Sequence, residues 1–181
     1  MQQHQQAMYQ LSKKYPVFDI IQKETYVEFK TFCVVPLDLP LDSPFEGQVL
    51  ETTIALTKKF PANCPSICVA ADTIWHPNID FKSGSVCFDT LNSSWNQNIE
   101  LVSILEDILP MLLIAPNNMD PLNLEATRQS YDKLLYKTIA KQIMDQKHLN
   151  YADIRKKCQD KIPEYFMELL KKHNYCQEAE K

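Results

Sequence analysis

Five side chains with chemical capability fall in two short stretches of the chain. Residues 73–95 read TIWHPNIDFKSGSVCFDTLNSSW and hold His76, Asn78 and Cys87. Residues 115–126 read APNNMDPLNLEA and hold Asn117 and Asp120. A cysteine thiolate can attack and can also leave, and Gly84, three positions before Cys87, shapes the approach to the sulfur. The ordinary alternative for Cys87 is a buried packing thiol. Histidine as a residue type titrates near neutral pH, which invites a reading of His76 as a general base. The Asn78 amide can stabilise a developing oxyanion or pin its own loop through backbone bonds. Asp120 stands in a Pro-bounded turn suited to presenting a carboxylate, or to capping a helix.

The whole composition narrows what these groups can serve. At 181 residues the chain has room for one domain with an extension. Its 19 basic against 23 acidic residues give a formal charge of −4, with no reason to expect a nucleic-acid partner. The longest nearly continuous apolar run, 108–115, is far shorter than a membrane span and contains Pro110, so no membrane partner is expected. The start, MQQHQQAMYQ, lacks the basic and apolar regions of a secretory signal, so an intracellular protein is expected, in cytoplasm and nucleus. Six cysteines in that setting read as free thiols. Cys64 and Cys68 lie four apart without a nearby histidine, so no structural zinc is expected, and nothing calls for a cofactor. Cys33, Cys64, Cys68 and Cys158 read as packing residues.

The elements that must position the site follow from periodicity. Met8 and Leu11, three apart, suit a short N-terminal helix ended by Tyr15-Pro16. Residues 19–35 and 49–58 alternate as three antiparallel strands, and 67–75 reads as a fourth, mostly buried one. Pro36, Pro40 and Pro44 mark the loop between the second and third. From Glu100 apolar residues recur at helical spacing around nearly the whole circumference, predicting a buried helix with a kink or break at Pro110. Helices over 125–135, 136–146 and 152–173 follow, the last restarting at Pro163. Strands first and helices afterwards give an α+β domain, a four-stranded antiparallel sheet with an N-terminal helix, a buried central helix and C-terminal helices.

Several motifs stand in an order that resembles the ubiquitin-conjugating enzymes over residues 16–147. They are Ser43-Pro44-Phe45-Glu46-Gly47, Phe60-Pro61 with Pro65, His76-Pro77-Asn78, Gly84-Ser85-Val86-Cys87, Trp95, Pro116-Asn117 and Asp120-Pro121-Leu122. The interval from Asn78 to Cys87 is one residue longer than in most members. With Phe88-Asp89, Asn92 and Ile108-Leu109-Pro110 it resembles the subgroup linked to gluconeogenic-enzyme-degrading and histone-directed ubiquitylation, although 177–181 lacks that subgroup's acidic tail.

The resemblance implies a core domain over 1–147 and a helical extension over 148–181. It implies a transferase in an ATP-dependent pathway that takes ubiquitin from the activating enzyme as a thioester on Cys87. The modifier then passes to a lysine of a protein substrate, usually with a RING-type or other ligase. It casts His76 and Asn117 as loop-ordering residues around catalytic Cys87, Asn78 and Asp120. Two alternatives stay open: a ubiquitin-like modifier, since Asp120-Pro121-Leu122-Asn123 also resembles the cullin-modifying branch, and a silent ubiquitin-binding variant. Asn118 replaces a common proline. Ala62 replaces a ligase-facing aromatic residue, and Asn96-Gln97-Asn98 replaces a common Ser-Pro-Ala, which implies an unusual ligase choice. Lys13 and Lys14 fit either the family's activating-enzyme face or a solvated pair.

Overall fold

The computed structural model describes residues 2–37, 43–87 and 95–176. Pro40, Phe88, Asp89, Asn92 and the 177–181 tail named above lie outside the described residues. Helix α1 (Gln2–Ser12) leads into strands β1 (Phe18–Gln22), β2 (Tyr26–Val34), β3 (Val49–Thr57) and β4 (Ser66–Val69). They form one antiparallel sheet in the order β1-β2-β3-β4. Helix α2 runs through three consecutive stretches, α-helical Leu101–Ser103, π-helical Ile104–Ile108 and α-helical Leu109–Ile114. After it come α3 (Leu124–Ser130), α4 (Lys133–Gln146), α5 (Tyr151–Lys157) and α6 (Glu164–Lys172). No helix among the described residues is long and apolar enough to cross a membrane.

Strand side chains alternate between faces, so register decides what each face buries. The pairs Val27↔Leu56, Phe29↔Ile54, Thr31↔Thr52 and Cys33↔Leu50 are all buried and form the floor of the core under α2. The opposite face starts polar at Glu28 and Lys30 and becomes apolar at Phe32 and Val34. There the C-terminal helices cover it. Phe166 of α6 stacks on Phe32 at 5.8 Å and meets Tyr15 with tilted rings at 5.6 Å, and Lys157 of α5 meets Glu51 at 2.6 Å. Lys30 approaches the same carboxylate at 3.0 Å, and the two ammonium groups hold Glu51 below its ordinary pKa against the opposing effect of burial. Past α6, the Val49 N–H donates to the Tyr175 hydroxyl at 3.0 Å. Ile154, Cys158, Phe166, Leu170 and Tyr175 thus belong to the same buried cluster as the sheet.

The break expected at Pro110 takes the form of a π turn. The Leu109 N–H bonds the Ile104 carbonyl, five residues back, and Pro110 has no N–H to offer Leu105. The Cys33 thiol donates to the Leu105 carbonyl instead, at 3.3 Å. Cys33 is therefore more than a packing residue. Helix α2 also has a solvent stripe, because Asp107 and Met111, four apart, are exposed. Its Glu106 carboxylate accepts from Tyr165 at 2.8 Å, Tyr15 at 3.3 Å and Lys14 at 3.5 Å, joining α2 and α6 to the segment that follows α1. Lys14 also lies over the Tyr165 ring, so it is not a simple solvated group.

Two boundaries differ from expectation. The fourth strand ends at Val69 rather than near Trp75, because Asp72 turns the chain with a φ of 58°, a left-handed conformation that a short polar side chain tolerates. The helix expected over 125–135 stops at Ser130, and the next begins at Lys133, because the Asp132 carboxylate caps it by accepting from the Leu135 N–H at 3.0 Å. Phe166→Ala should lower unfolding free energy by about 3–5 kcal/mol, since it empties the space between Tyr15 and Phe32. A denaturant titration by near-UV circular dichroism measures this, and a loss under about 1 kcal/mol would mean that α6 is not part of the core.

Candidate active site

The segment carrying Cys87 is zipped between β4 and residues 78–80. Val69 N–H donates to the Gly84 carbonyl at 2.9 Å, and Val86 N–H donates to the Ile67 carbonyl at 3.1 Å. On the other side Asp80 N–H reaches the Ser85 carbonyl, and Cys87 N–H reaches the Asn78 carbonyl, both at 2.9 Å. The turn between them closes when the Asp80 carboxylate accepts from the Ser83 N–H at 2.7 Å and the Ser83 hydroxyl at 2.6 Å. These bonds hold Asp80 below the ordinary aspartate range. Gly84 is required twice over. Its φ is 73°, and a Cβ there would lie 1.9 Å from the Val69 carbonyl oxygen.

Asn78 couples this strip to the second stretch. Its Nδ2 donates to the Asn117 carbonyl at 2.7 Å, while its Oδ1 accepts from the Asn117 N–H at 2.8 Å. Backbone polarity thereby fixes which end of the amide is which. Asn117 in turn uses its own Oδ1 to accept from the Met119 N–H at 3.0 Å, which starts the turn bearing Asp120. The turn is held at its far end too, where the Leu122 and Asn123 N–H groups both donate to the Pro77 carbonyl at 2.9 Å. Asp120 stands exposed between those two attachments. It does not cap the following helix, because Asn123 does so by accepting from the Ala126 N–H.

His76 is fully buried, and its Nδ1 accepts from the Asn78 N–H at 3.1 Å. An accepting Nδ1 means a neutral ring protonated at Nε2, which faces the Leu112 backbone without a well-formed hydrogen bond. Burial pushes its pKa down to about 3, so the ring stays neutral and orders the Pro77-Asn78 bend rather than presenting a base. Other supports of this bend carried no sequence signal. The Tyr136 hydroxyl donates to the Trp75 carbonyl at 3.0 Å, and Trp75 Nε1 donates to Gln129 at 2.8 Å, tying the bend to α4 and α3. Both partners lie more than fifty residues away in sequence, so only the fold brings them together.

Burial acts on each of the five other thiols. It raises Cys33 to about 12, Cys64 and Cys158 to about 11, and Cys68 and Cys176 above the ordinary thiol range. Cys87 is half-buried and not disulfide-bonded. Among the described residues no group of histidine, cysteine and carboxylate side chains is arranged to hold a metal.

The family model described as "Ubiquitin-conjugating enzyme" matches residues 4–144. The chain belongs to that family. Conjugating enzymes among its relatives include the E2-24 kDa enzyme of Saccharomyces cerevisiae, 43% identical over 107 residues, which are 59% of this chain and 49% of the yeast protein. The E2-23 kDa enzyme of Triticum aestivum is 46% identical over 87 residues, 48% of this chain and 47% of that protein. The chain matches about half the length of these relatives. The E2 domain of a Toxoplasma gondii ubiquitin conjugating enzyme superposes with a TM-score of 0.65 at 21% identity, covering 80% of this chain and 97% of that one, which shows that the conjugating-enzyme fold is shared.

The neutral, buried His76 predicts a pH dependence. Its folded pKa of about 3 lies below the ordinary 6.5, so beneath pH 6.5 the unfolded chain binds a proton that the folded chain refuses. Stability should therefore fall toward acid by up to about 1.4 kcal/mol per pH unit from this residue alone. In His76→Gln that component should vanish, making the pH 5 to 6.5 slope of urea-unfolding free energy shallower. Parallel slopes in the two proteins would show that His76 is not the group responsible.

Proposed function

We propose that the chain is an active ubiquitin-conjugating enzyme, with Cys87 as the residue that carries the modifier. The observation that carries this reading is the double attachment of Asn78, whose main-chain carbonyl holds the Cys87 N–H while its side chain holds the Asn117 backbone. One residue thus sets the nucleophile-bearing strip against the turn that presents Asp120. Family membership supports ubiquitin as cargo, the activating enzyme as donor, and a ligase and a protein substrate as the further partners.

In the loading step the Cys87 thiolate attacks the thioester carbonyl of the modifier held on the activating enzyme, and the donor thiolate leaves. In discharge a substrate lysine attacks the Cys87 thioester, the amine gives up a proton, and the Cys87 thiolate departs. A lysine of pKa near 10.4 is neutral only about once in two thousand at pH 7. A carboxylate beside it favours the ammonium further, so desolvation must lower the pKa. Asp120 accordingly orients the amine and accepts its proton as attack proceeds. Asn78 braces the two segments. One Nδ2 hydrogen is committed to Asn117, so an oxyanion would draw on the second. His76 and Asn117 order the loops around it.

For the ligase, a groove of about 300 Å³ lies between α1 and the Phe60-Pro61 and 97–102 segments, lined by Ala7, Gln10, Phe60, Pro61 and Ile99. Ala62 is exposed beside it. A small side chain there leaves apolar contact to be supplied by the partner, which fits a ligase with a matching bulky residue.

Cys87→Ala should abolish the reducible adduct formed with activating enzyme, ATP and ubiquitin, and loading that persists would end the assignment. Asp120→Ala should load normally. Its single-turnover discharge to free lysine should fall roughly 10- to 1000-fold, with far less change toward a thiol acceptor, which needs no amine deprotonation. Equal losses toward both acceptors would make Asp120 a purely structural member of its turn.

A further inference from the structure

Large apolar side chains are unevenly spread over the surface. Eleven stand exposed among the described residues, and six of them fall between positions 119 and 135: Met119, Leu122, Leu124, Tyr131, Leu134 and Leu135. Met119 is 92% exposed, Tyr131 79%, Leu134 77% and Leu124 61%. Isolated exposed leucines are ordinary, whereas a contiguous group rimmed by polar side chains marks a surface that meets a partner. Leu122, Leu124 and Tyr131 share one side, with Met119 three residues before them and Leu134 and Leu135 in the first turn of α4 three and four residues after. Leu124 and Tyr131 are seven apart, two turns along one helical face. Asn123 between Leu122 and Leu124 is extended, which puts those two leucines on one side. The inner face of α3 is already buried through Ala126 and Thr127, so the outer apolar face serves no internal packing. Glu125 and Arg128, paired at 3.7 Å, supply part of the polar rim.

The geometry points to this face as a docking surface for the acceptor protein, taking aliphatic or aromatic residues that flank the target lysine; the inference rests on the activity proposed above. Continuity with the reaction centre identifies the occupant. Met119 and Leu122 bracket Asp120, and their segment is pinned to Asn78 and Pro77, the same bend that holds Cys87. A chain lying on the patch therefore carries its neighbouring lysine to the Asp120 turn. Leu124 and Tyr131 are about 10 Å apart along the helix, the reach of three or four extended residues. The groove beside α1 shares no residue with this surface, so a ligase there leaves it open.

The test uses the full chain loaded on Cys87 and two lysine peptides of equal charge. One has Leu and Phe three to six positions from the lysine, and the other has Ser and Gln there. Below saturation the apolar peptide should discharge the thioester roughly tenfold faster, the difference expected for removing one large apolar side chain from water. In Leu124→Gln/Tyr131→Ser/Leu134→Gln the two peptides should differ by less than about twofold, while loading and discharge to free lysine stay as in the parent protein. The single Leu134→Gln variant should lose part of the preference, which guards against a folding defect in the triple variant. A chain that never loads overturns the activity itself. A loaded chain without peptide preference, or a triple variant that keeps it, overturns the docking surface. Sedimentation that shows self-association of the parent protein, lost in the triple variant, would assign the patch to contacts between copies of the chain and overturn the inference.

Discussion

The bridge between Asn78 and Asn117 is the constraint on which the rest of the site depends. A backbone N–H and C=O from one residue need one acceptor and one donor side by side, and a carboxamide offers both on one planar group without a change of protonation. Aspartate would set two oxygens against a carbonyl, and an aliphatic residue would leave both main-chain groups unpaired at about 1–3 kcal/mol each. Burial of Asn78 keeps water from substituting for either bond. Because the same residue also receives the Cys87 N–H through its own carbonyl, main chain and side chain act in series: a shift of the 117–122 turn is felt at the sulfur.

The layers beneath this bridge are held by similarly local bargains between geometry and hydrogen bonding. Pro110 removes a donor from the centre of α2, the helix widens into a π turn, and a thiol from β2 takes the place of the missing amide. Asp132 stops one helix and starts the next, which leaves Tyr136 of α4 in reach of the Trp75 carbonyl. The Glu106 carboxylate collects three donors from two distant parts of the chain, Lys14-Tyr15 and Tyr165. Burial and that carboxylate together raise the Tyr15 and Tyr165 hydroxyls, so both remain protonated donors.

The strands and the buried helix were legible in the sequence because their periods of two and about 3.6 are set by which face meets the core. Helix ends were less so. Asp132 and Asn123 are capping residue types in positions that periodicity alone does not single out. The unalternating apolar run Phe32-Cys33-Val34-Val35 matches a second cover over the sheet, since alternation stops where both faces are packed. What covers it, Phe166, is more than a hundred residues further on and cannot be paired with Phe32 by pattern. At the site, the bracing role of Asn78 rests on two distances that no sequence contains, and those two bonds leave one Nδ2 hydrogen over.

The raised thiols have a consequence for where cargo can reside. A thioester held on Cys87, as proposed above, can pass to any thiolate within reach, and the chain has six sulfurs. Five of those sulfurs are shifted upward by burial, and a thiol near 11 is ionised only about once in ten thousand molecules at pH 7. The same desolvation that packs Cys33 under α2 and raises Cys158 keeps those thiols protonated and makes them poor acceptors for acyl migration, without any group devoted to guarding them.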